Sequence, residues 1–199
     1  MSSNNLIVPA AGIVTGRRTL LVRGGQAVLS ATAIAVLAGY EGMAAMKSAS
    51  AGSMAADIDI LNTALGLEYE GIAAYQVGAE SGLLQKPVLD LAVTFQDQHR
   101  EHADLLAATV TKLGGAPVEP KKAAEYGFPV ETLKTQEDVL RFAAGLEQGA
   151  TSAYYGAIPL FESRDLAQAA ASIMADEAMH WAVLRQALGE PPVPSAFVT

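Results

Sequence analysis

Length, composition and charge limit the kinds of protein this chain can be. Its 199 residues have room for one domain of ordinary size plus an appendage, and 51% hydrophobic with 17% charged residues exclude a disordered chain and a polytopic membrane protein. A net charge of -8 argues against nucleic acid as a partner. Because cysteine is absent, disulfides, cysteine-ligated zinc and iron–sulfur clusters are excluded, and any metal must be bound through oxygen and nitrogen.

Residues 1–51 differ from the rest of the chain in charge. Four basic residues and one acidic residue give this segment a net charge of +3, whereas nine basic and twenty acidic residues give the remainder a net charge of -11. The pair Arg17 and Arg18 precedes an uncharged run over residues 27–40, and small residues follow it. This order resembles a twin-arginine export signal and predicts an exported protein, periplasmic or otherwise extracytoplasmic. The alternative is a retained anchor that contacts a membrane or other subunits through residues 17–45.

The remainder of the chain has the periodicity of helices. Apolar residues recur at spacings of three and four in four stripes, over residues 58–79, 91–113, 140–161 and 173–188. No segment alternates as a strand does, so we predict an all-α fold in which residues 52–190 form a four-helix bundle and residues 191–199 a C-terminal tail. A long connection over residues 114–134 joins the second and third helices, and Pro159 predicts a kink or an end in the third helix.

Each of the four stripes contains charged or titratable residues among its apolar ones. These are Glu68, His99, His102, Glu147, Glu177 and His180. An ionised carboxylate is costly to bury unless it is paired or bound to a metal, and no basic residue lies in the central part of these stripes. Two pairs in the set are separated by three residues, which places both side chains within reach of one ion. The sequence therefore predicts a metal site among the four helices.

The two halves of the predicted bundle resemble each other. The sequence Gly-Leu-Glu ends at Glu68 and again at Glu147, and Tyr75 and Tyr154 match at the same offset of 79 residues. The later histidine of each helix pair matches at an offset of 78 residues. These matches indicate an internal repeat. We expect the two tyrosines to pack in the core, the alternatives being donation to a ligand carboxylate or relay of an electron.

On these residues the chain resembles the ferritin-like superfamily, and in particular the bacterial ferritin-like domain proteins that often carry twin-arginine signals. The family pattern is a Glu from each of two helices and Glu-x-x-His from each of the other two, which together hold two iron or manganese ions. Five positions match this pattern: Glu68, His102, Glu147, Glu177 and His180. His99 stands where the fourth glutamate is expected. The connection of residues 114–134 agrees with the long crossover of that topology.

The substitution at His99 leaves the number of metal ions open. Three carboxylates leave one positive charge on two divalent ions before any bridging anion is counted. We therefore expect one or two ions of iron or manganese, with zinc also compatible with the ligand types. Glu70 and Glu101 are predicted to be solvated, because each lies away from the ligand face of its helix.

The resemblance implies redox chemistry at such a site. Members of the superfamily include ferroxidases, catalases and rubrerythrins, so the expected partners are metal ions and small oxidants, and we expect a homo-oligomer. The alternative is a structural or assembly protein whose bundle has lost its metal, with the six polar side chains paired by hydrogen bonds and water. Whether the chain is an enzyme stays open at this level.

Overall fold

The computed structural model describes residues 50–198, which form a bundle of four α-helices. They are α1 (Ser50–Glu80), α2 (Lys86–Lys112), α3 (Gln136–Ala157) and α4 (Arg164–Ala187). No strand occurs within residues 50–198, and the predicted all-α four-helix bundle is confirmed. The arginine pair and the apolar run of the predicted export signal lie outside the described residues. No helix in the described part of the chain is both long enough and apolar enough to cross a membrane.

Local capping interactions set the helix ends. The side chain of Thr135 accepts a hydrogen bond from the backbone N–H of Asp138, and the Asp138 carboxylate accepts one from the backbone N–H of Thr135, so α3 begins with a reciprocal capping box. The Ser163 hydroxyl accepts from the backbone N–H of Leu166 at the start of α4. Gly114, with φ of 84°, follows α2 in the left-handed conformation that glycine adopts without steric cost.

The connections determine how the helices pair. α2 and α3 are joined by a long crossover that contains two short 3-10 turns, Ala123–Glu125 and Val130–Thr132. α3 ends at Ala157, where a 3-10 turn over Ile158–Leu160 that contains Pro159 leads towards α4, in agreement with the prediction from that proline. α1 packs chiefly against α2, and α3 packs chiefly against α4.

The buried apolar residues fall into two clusters separated along the bundle. The Tyr154 cluster consists of Leu61, Ala64, Leu65, Ala103, Leu106, Val110, Tyr154, Ala170 and Ile173. The Tyr75 cluster consists of Tyr75, Phe95, Leu140, Ala143, Ala144 and Leu184. On every helix the predicted glutamate and histidine positions lie between the residues of these two clusters. The core therefore has two apolar layers with a polar layer between them.

Glu70 is a correction to the sequence interpretation. Its side chain is only 4% exposed, although helix periodicity places it away from the site. The first 3-10 turn of the crossover packs against α1. In that connection, burial of Tyr126 raises the pKa of its hydroxyl, and the nearby charge of Glu70 raises it further. The crossover thus covers a face of α1 that periodicity alone assigns to solvent. Glu101 is exposed, as predicted.

Asp57 links the first turns of α1 to the start of α4. Its two carboxylate oxygens accept hydrogen bonds from the backbone N–H groups of Glu162 at 2.9 Å and Ser163 at 3.1 Å, and the residue is 4% exposed. Backbone donors at a helix start have no partner within the helix. Asp57 supplies acceptors at this start from a position more than 100 residues earlier in the chain.

We expect Asp57→Ala to lower the free energy of unfolding by about 1–3 kcal/mol, because two backbone donors lose a charged acceptor. Asp57→Asn retains one acceptor oxygen at nearly the same volume and should lose less. Urea unfolding followed by circular dichroism measures both changes. Unchanged stability of Asp57→Ala would contradict the role assigned to this carboxylate.

Candidate metal centre

The structure brings all six residues of the predicted site together in the polar layer. This six-residue cluster consists of Glu68 on α1, His99 and His102 on α2, Glu147 on α3, and Glu177 and His180 on α4. Five of the six are 4% exposed or less, and the His102 side chain is 14% exposed. Their inward orientation agrees with the periodicity of the sequence, whereas their role as metal ligands stays a prediction.

One half of the cluster is built around Glu68 and is termed the Glu68 half-site. The Nδ1 atom of His99 lies 2.7 Å from Glu68 Oε2, and the Nδ1 atom of His102 lies 3.5 Å from the same oxygen. Glu177 Oε1 lies 3.1 Å from His102 Nδ1 and 3.6 Å from His99 Nδ1. One ligand atom from each of these four side chains lies within 4.8 Å of the others, a spacing that could hold one metal ion.

The other half is built around Glu147 and is termed the Glu147 half-site. His180 Nδ1 lies 3.5 Å from Glu147 Oε2 and 3.7 Å from Glu177 Oε2. His99 Nε2 lies 3.4 Å from Glu147 Oε1. These four side chains also offer ligand atoms within 4.8 Å of one another. The two half-sites share His99 and Glu177, and their remaining members are the residues matched by the internal repeat.

The donor atoms of the cluster suit a cation. Five buried atoms of the cluster have no hydrogen-bond partner among the described residues: Glu147 Oε2, Glu177 Oε1, Glu177 Oε2, His102 Nδ1 and His180 Nδ1. The 3.1 Å approach of His102 Nδ1 to Glu177 lacks the alignment of a hydrogen bond. Within residues 50–198 the carboxylates of the cluster form ion pairs with histidine and with no Lys or Arg. Buried polar atoms without a partner are costly, and a metal ion bound by these oxygens and by the deprotonated nitrogens would satisfy them.

Protons on the histidines balance the carboxylates when no metal is bound. Burial lowers the pKa of His102, but the nearby carboxylates of Glu177 and Glu68 outweigh burial and raise the pKa to about 9. Burial likewise lowers the pKa of His180, but Glu147 and Glu177 raise it to about 9. Both imidazoles are therefore charged at neutral pH in the metal-free protein.

His99 and Glu147 shift each other's pKa in the same way. Burial lowers the pKa of His99, but hydrogen bonds to Glu147 and Glu68 hold it well above its ordinary value. Burial raises the pKa of Glu147, but the nearby imidazoles of His180 and His99 hold it well below its ordinary value. A metal ion that enters the cluster must therefore displace protons from these imidazoles.

Tyr75 and Tyr154 do more than pack in the core. Tyr154 belongs to one apolar cluster and donates a hydrogen bond to Glu68 Oε1 at 2.5 Å. Tyr75 belongs to the other cluster and donates to Glu147 Oε1. Each tyrosine thus contacts the glutamate of the opposite repeat. Burial and the charge of Glu147 raise the pKa of Tyr75 well above its ordinary value, so that its hydroxyl stays a donor.

Two residues around the cluster were missed by the sequence analysis. The Nε2–H group of His180 donates to Gln98 Oε1 at 2.8 Å, which directs Nδ1 of the same ring towards the cluster. Asp176 Oδ2 lies 3.4 Å from His180 Nε2 and 3.4 Å from His102 Nε2. Asp176 is thus a fourth carboxylate beside the cluster, and such outer contacts orient histidine ligands. Its position directly before Glu177 was a visible signal, but its contact with α2 depends on how the helices pack.

Comparison with known proteins agrees with the fold and with the predicted resemblance. A family model described as a ferritin-like domain matches residues 56–190. A solved crystal structure, that of the conserved hypothetical protein rv2844 from Mycobacterium tuberculosis, is similar with a TM-score of 0.60 and 25% sequence identity. The alignment covers 72% of this chain and 97% of that chain. No curated protein matches the sequence.

For the metal-free protein we expect the thermal unfolding midpoint to fall as the pH rises from about 6.5 to above 9. The folded chain holds the pKa of His102 and His180 near 9, against 6.5 for an ordinary histidine. Protonation therefore stabilises the folded state below pH 6.5, and this contribution is lost as the pH rises through about 9.

Thermal scans of EDTA-treated protein at constant ionic strength measure this dependence. The variant with His102→Gln and His180→Gln is the control, because it should lose most of the slope. A midpoint of the wild-type protein that rises over the same interval would contradict the pairing of these imidazoles with the carboxylates.

We expect Tyr75→Phe to lower the free energy of unfolding of the metal-free protein by about 1–3 kcal/mol, because a buried carboxylate loses a hydrogen-bond donor while the ring packing stays. Tyr154→Phe should have a similar effect through Glu68. Tyr155→Phe is the matched control, since this neighbouring side chain is 55% exposed. Equal stability of Tyr75→Phe and Tyr155→Phe in urea unfolding would refute the contribution of the hydroxyl.

Proposed function

The chain belongs to the ferritin-like domain family, and from this premise we propose that its core binds iron or manganese for reaction with oxygen, peroxide or ferrous iron. The observation that carries the proposal is the set of five unpartnered donor atoms within the six-residue cluster. They are carboxylate oxygens and imidazole nitrogens on three different helices, and no Lys or Arg within residues 50–198 forms an ion pair with these carboxylates. A divalent cation is the partner that this arrangement lacks.

The ligand types support iron or manganese. Carboxylate oxygen suits manganese, and imidazole suits iron and zinc, so a mixed set is compatible with each of these metals. Zinc would not change oxidation state, whereas bound iron or manganese would supply the electrons for the reduction of an oxidant. The family pattern for two metals in a bundle core favours iron or manganese over zinc.

The surrounding residues support chemistry with a small uncharged oxidant. Apolar layers lie on both sides of the cluster, which limits the access of water and of ions. A small apolar pocket is walled by Tyr75, Leu91, Leu140 and other apolar side chains. Tyr75 lies between this pocket and Glu147, with which it is hydrogen-bonded. A molecule of the size and polarity of oxygen would enter such a pocket more readily than an ion.

The composition of residues 1–51 supports an extracytoplasmic location, which we propose together with the redox function. The arginine pair, the uncharged run and the small residues that follow have the order of an export signal. Removal of oxidants or oxidation of ferrous iron outside the cytoplasm would suit such a protein. Determination of the amino terminus of the protein purified from its native compartment tests the proposal, since an intact Arg17 would indicate a retained segment.

We expect the full-length protein, produced with iron and manganese in excess, to contain near-stoichiometric iron or manganese. The double variant Glu147→Ala, Glu177→Ala should contain none while its circular dichroism stays helical, because both half-sites lose a ligand. Elemental analysis per chain measures the metal content. The matched control is Glu101→Ala, Glu131→Ala, which removes two exposed carboxylates and should keep the metal.

Two outcomes would contradict the account. Metal retained by the double variant would refute the assignment of Glu147 and Glu177 as ligands. Absence of metal from the wild-type protein under these conditions would refute metal binding and favour the alternative of a structural bundle.

A further inference from the structure

We propose that His99 is a bridging ligand that binds one metal ion through Nδ1 in the Glu68 half-site and a second ion through Nε2 in the Glu147 half-site. The inference rests on the proposed metal binding and concerns the position at which this chain departs from the family pattern. We therefore expect two metal ions, with the His99 imidazole in the role that a carboxylate has in the family pattern.

The His99 ring is oriented towards both half-sites. Its Nδ1 atom lies 2.7 Å from Glu68 Oε2, and its Nε2 atom lies 3.4 Å from Glu147 Oε1. The two nitrogens of an imidazole point in different directions, so one ring can serve two centres only if it lies between them. His99 lies between glutamates of opposite repeats and is 4% exposed. Its ring therefore offers one nitrogen to each half-site.

Glu177 is shared between the half-sites in the same way. Its Oε1 atom lies 3.1 Å from His102 Nδ1, and its Oε2 atom lies 3.7 Å from His180 Nδ1. Glu177 and His99 are the only two side chains common to both candidate groups among the described residues. Each half-site then has one glutamate and one histidine of its own and two donors that it shares.

The charge of an imidazole bound through both nitrogens also suits a site with two metal ions. Three carboxylates leave one positive charge on two divalent ions, whereas an imidazole bound through both nitrogens carries a single negative charge. Its remaining ring proton passes to solvent when the second nitrogen binds metal, since ligands bind in their deprotonated form. A doubly bound His99 thus supplies both the position and the charge of the missing carboxylate.

The absence of a side chain at Gly71 leaves room for the His99 ring in this position. A Cβ atom at residue 71 would lie 3.1 Å from Cε1, 3.2 Å from Nδ1 and 3.3 Å from Nε2 of His99, which is closer than side chains normally approach. Because these three distances are nearly equal, the missing Cβ would lie over the face of the His99 ring, close to both nitrogens. Gly71→Ala offers a way to displace the ring without removal of any ligand.

The test uses Cu²⁺ as the probe, because imidazole binds copper well and each Cu²⁺ ion carries one unpaired electron. The full-length metal-free protein is titrated with Cu²⁺ against a competing chelator, and the loaded protein is examined by electron paramagnetic resonance at low temperature. We expect two ions per chain and an integrated signal well below two spins, because a ligand bound through both nitrogens couples the two electrons magnetically.

Three variants separate the bridge from metal binding in general. His99→Gln should weaken the binding of the second Cu²⁺ ion by tenfold or more and leave a spectrum without magnetic coupling. His99→Glu restores the family pattern and should bind two ions with a different coupling. Gly71→Ala should reduce the coupling while the protein stays helical, since alanine favours a helix over glycine. Gly145→Ala is its matched control, because no atom lies within 4 Å of the added Cβ, and it should match the wild-type protein.

The outcomes that overturn the proposal are distinct from failure of metal binding. One Cu²⁺ ion per chain in the wild-type protein, or two with full uncoupled intensity, would refute the bridge and leave metal binding intact. Two coupled ions that persist unchanged in His99→Gln would assign the coupling to another ligand and refute the bridge as well. A wild-type chain that binds no Cu²⁺, Mn²⁺ or Fe²⁺ would refute the proposed function itself.

Discussion

Burial of three carboxylates at the centre of a four-helix bundle is the constraint on which the rest of this structure depends. Glu68, Glu147 and Glu177 are each 2% exposed or less, and ionised groups at such depth are unstable without compensating charge. Three histidines and two tyrosines surround them and stabilise their negative charge, and Asp176 contacts two of the histidines from outside the cluster. Five oxygen and nitrogen atoms of the cluster nevertheless have no hydrogen-bond partner among the described residues, and the cluster could hold a metal ion.

The internal repeat explains why the centre needs both helix pairs. Tyr154 of the second repeat contacts Glu68 of the first, and Tyr75 of the first contacts Glu147 of the second. The apolar layers follow the same symmetry, since each contains one of the two tyrosines. Glu68 and Glu147 each accept a hydrogen bond from a tyrosine of the other helix pair. The crosswise contacts therefore couple the association of the two pairs to the formation of the site.

The sequence predicted the fold and the composition of the cluster because both depend on the spacing of residues along single helices. The inward side of each helix follows from the period of 3.6 residues, and Glu and His on that side were visible as exceptions to an apolar stripe. The burial of Glu70 depends on a crossover that covers α1, and the contact between Asp57 and α4 depends on residues distant in sequence. Gln98 and Asp176 contact histidines of neighbouring helices, so their roles follow only from the packing.

The central claim is that two metal ions lie in the polar layer, one in each half-site. The most direct measurement is anomalous X-ray diffraction, at the absorption edge of the bound metal, from crystals of the protein loaded with iron or manganese. The account predicts two peaks, one next to Glu68 and His102 and one next to Glu147 and His180, with His99 between them. A single peak, or no peak within the polar layer of metal-saturated crystals, would contradict it.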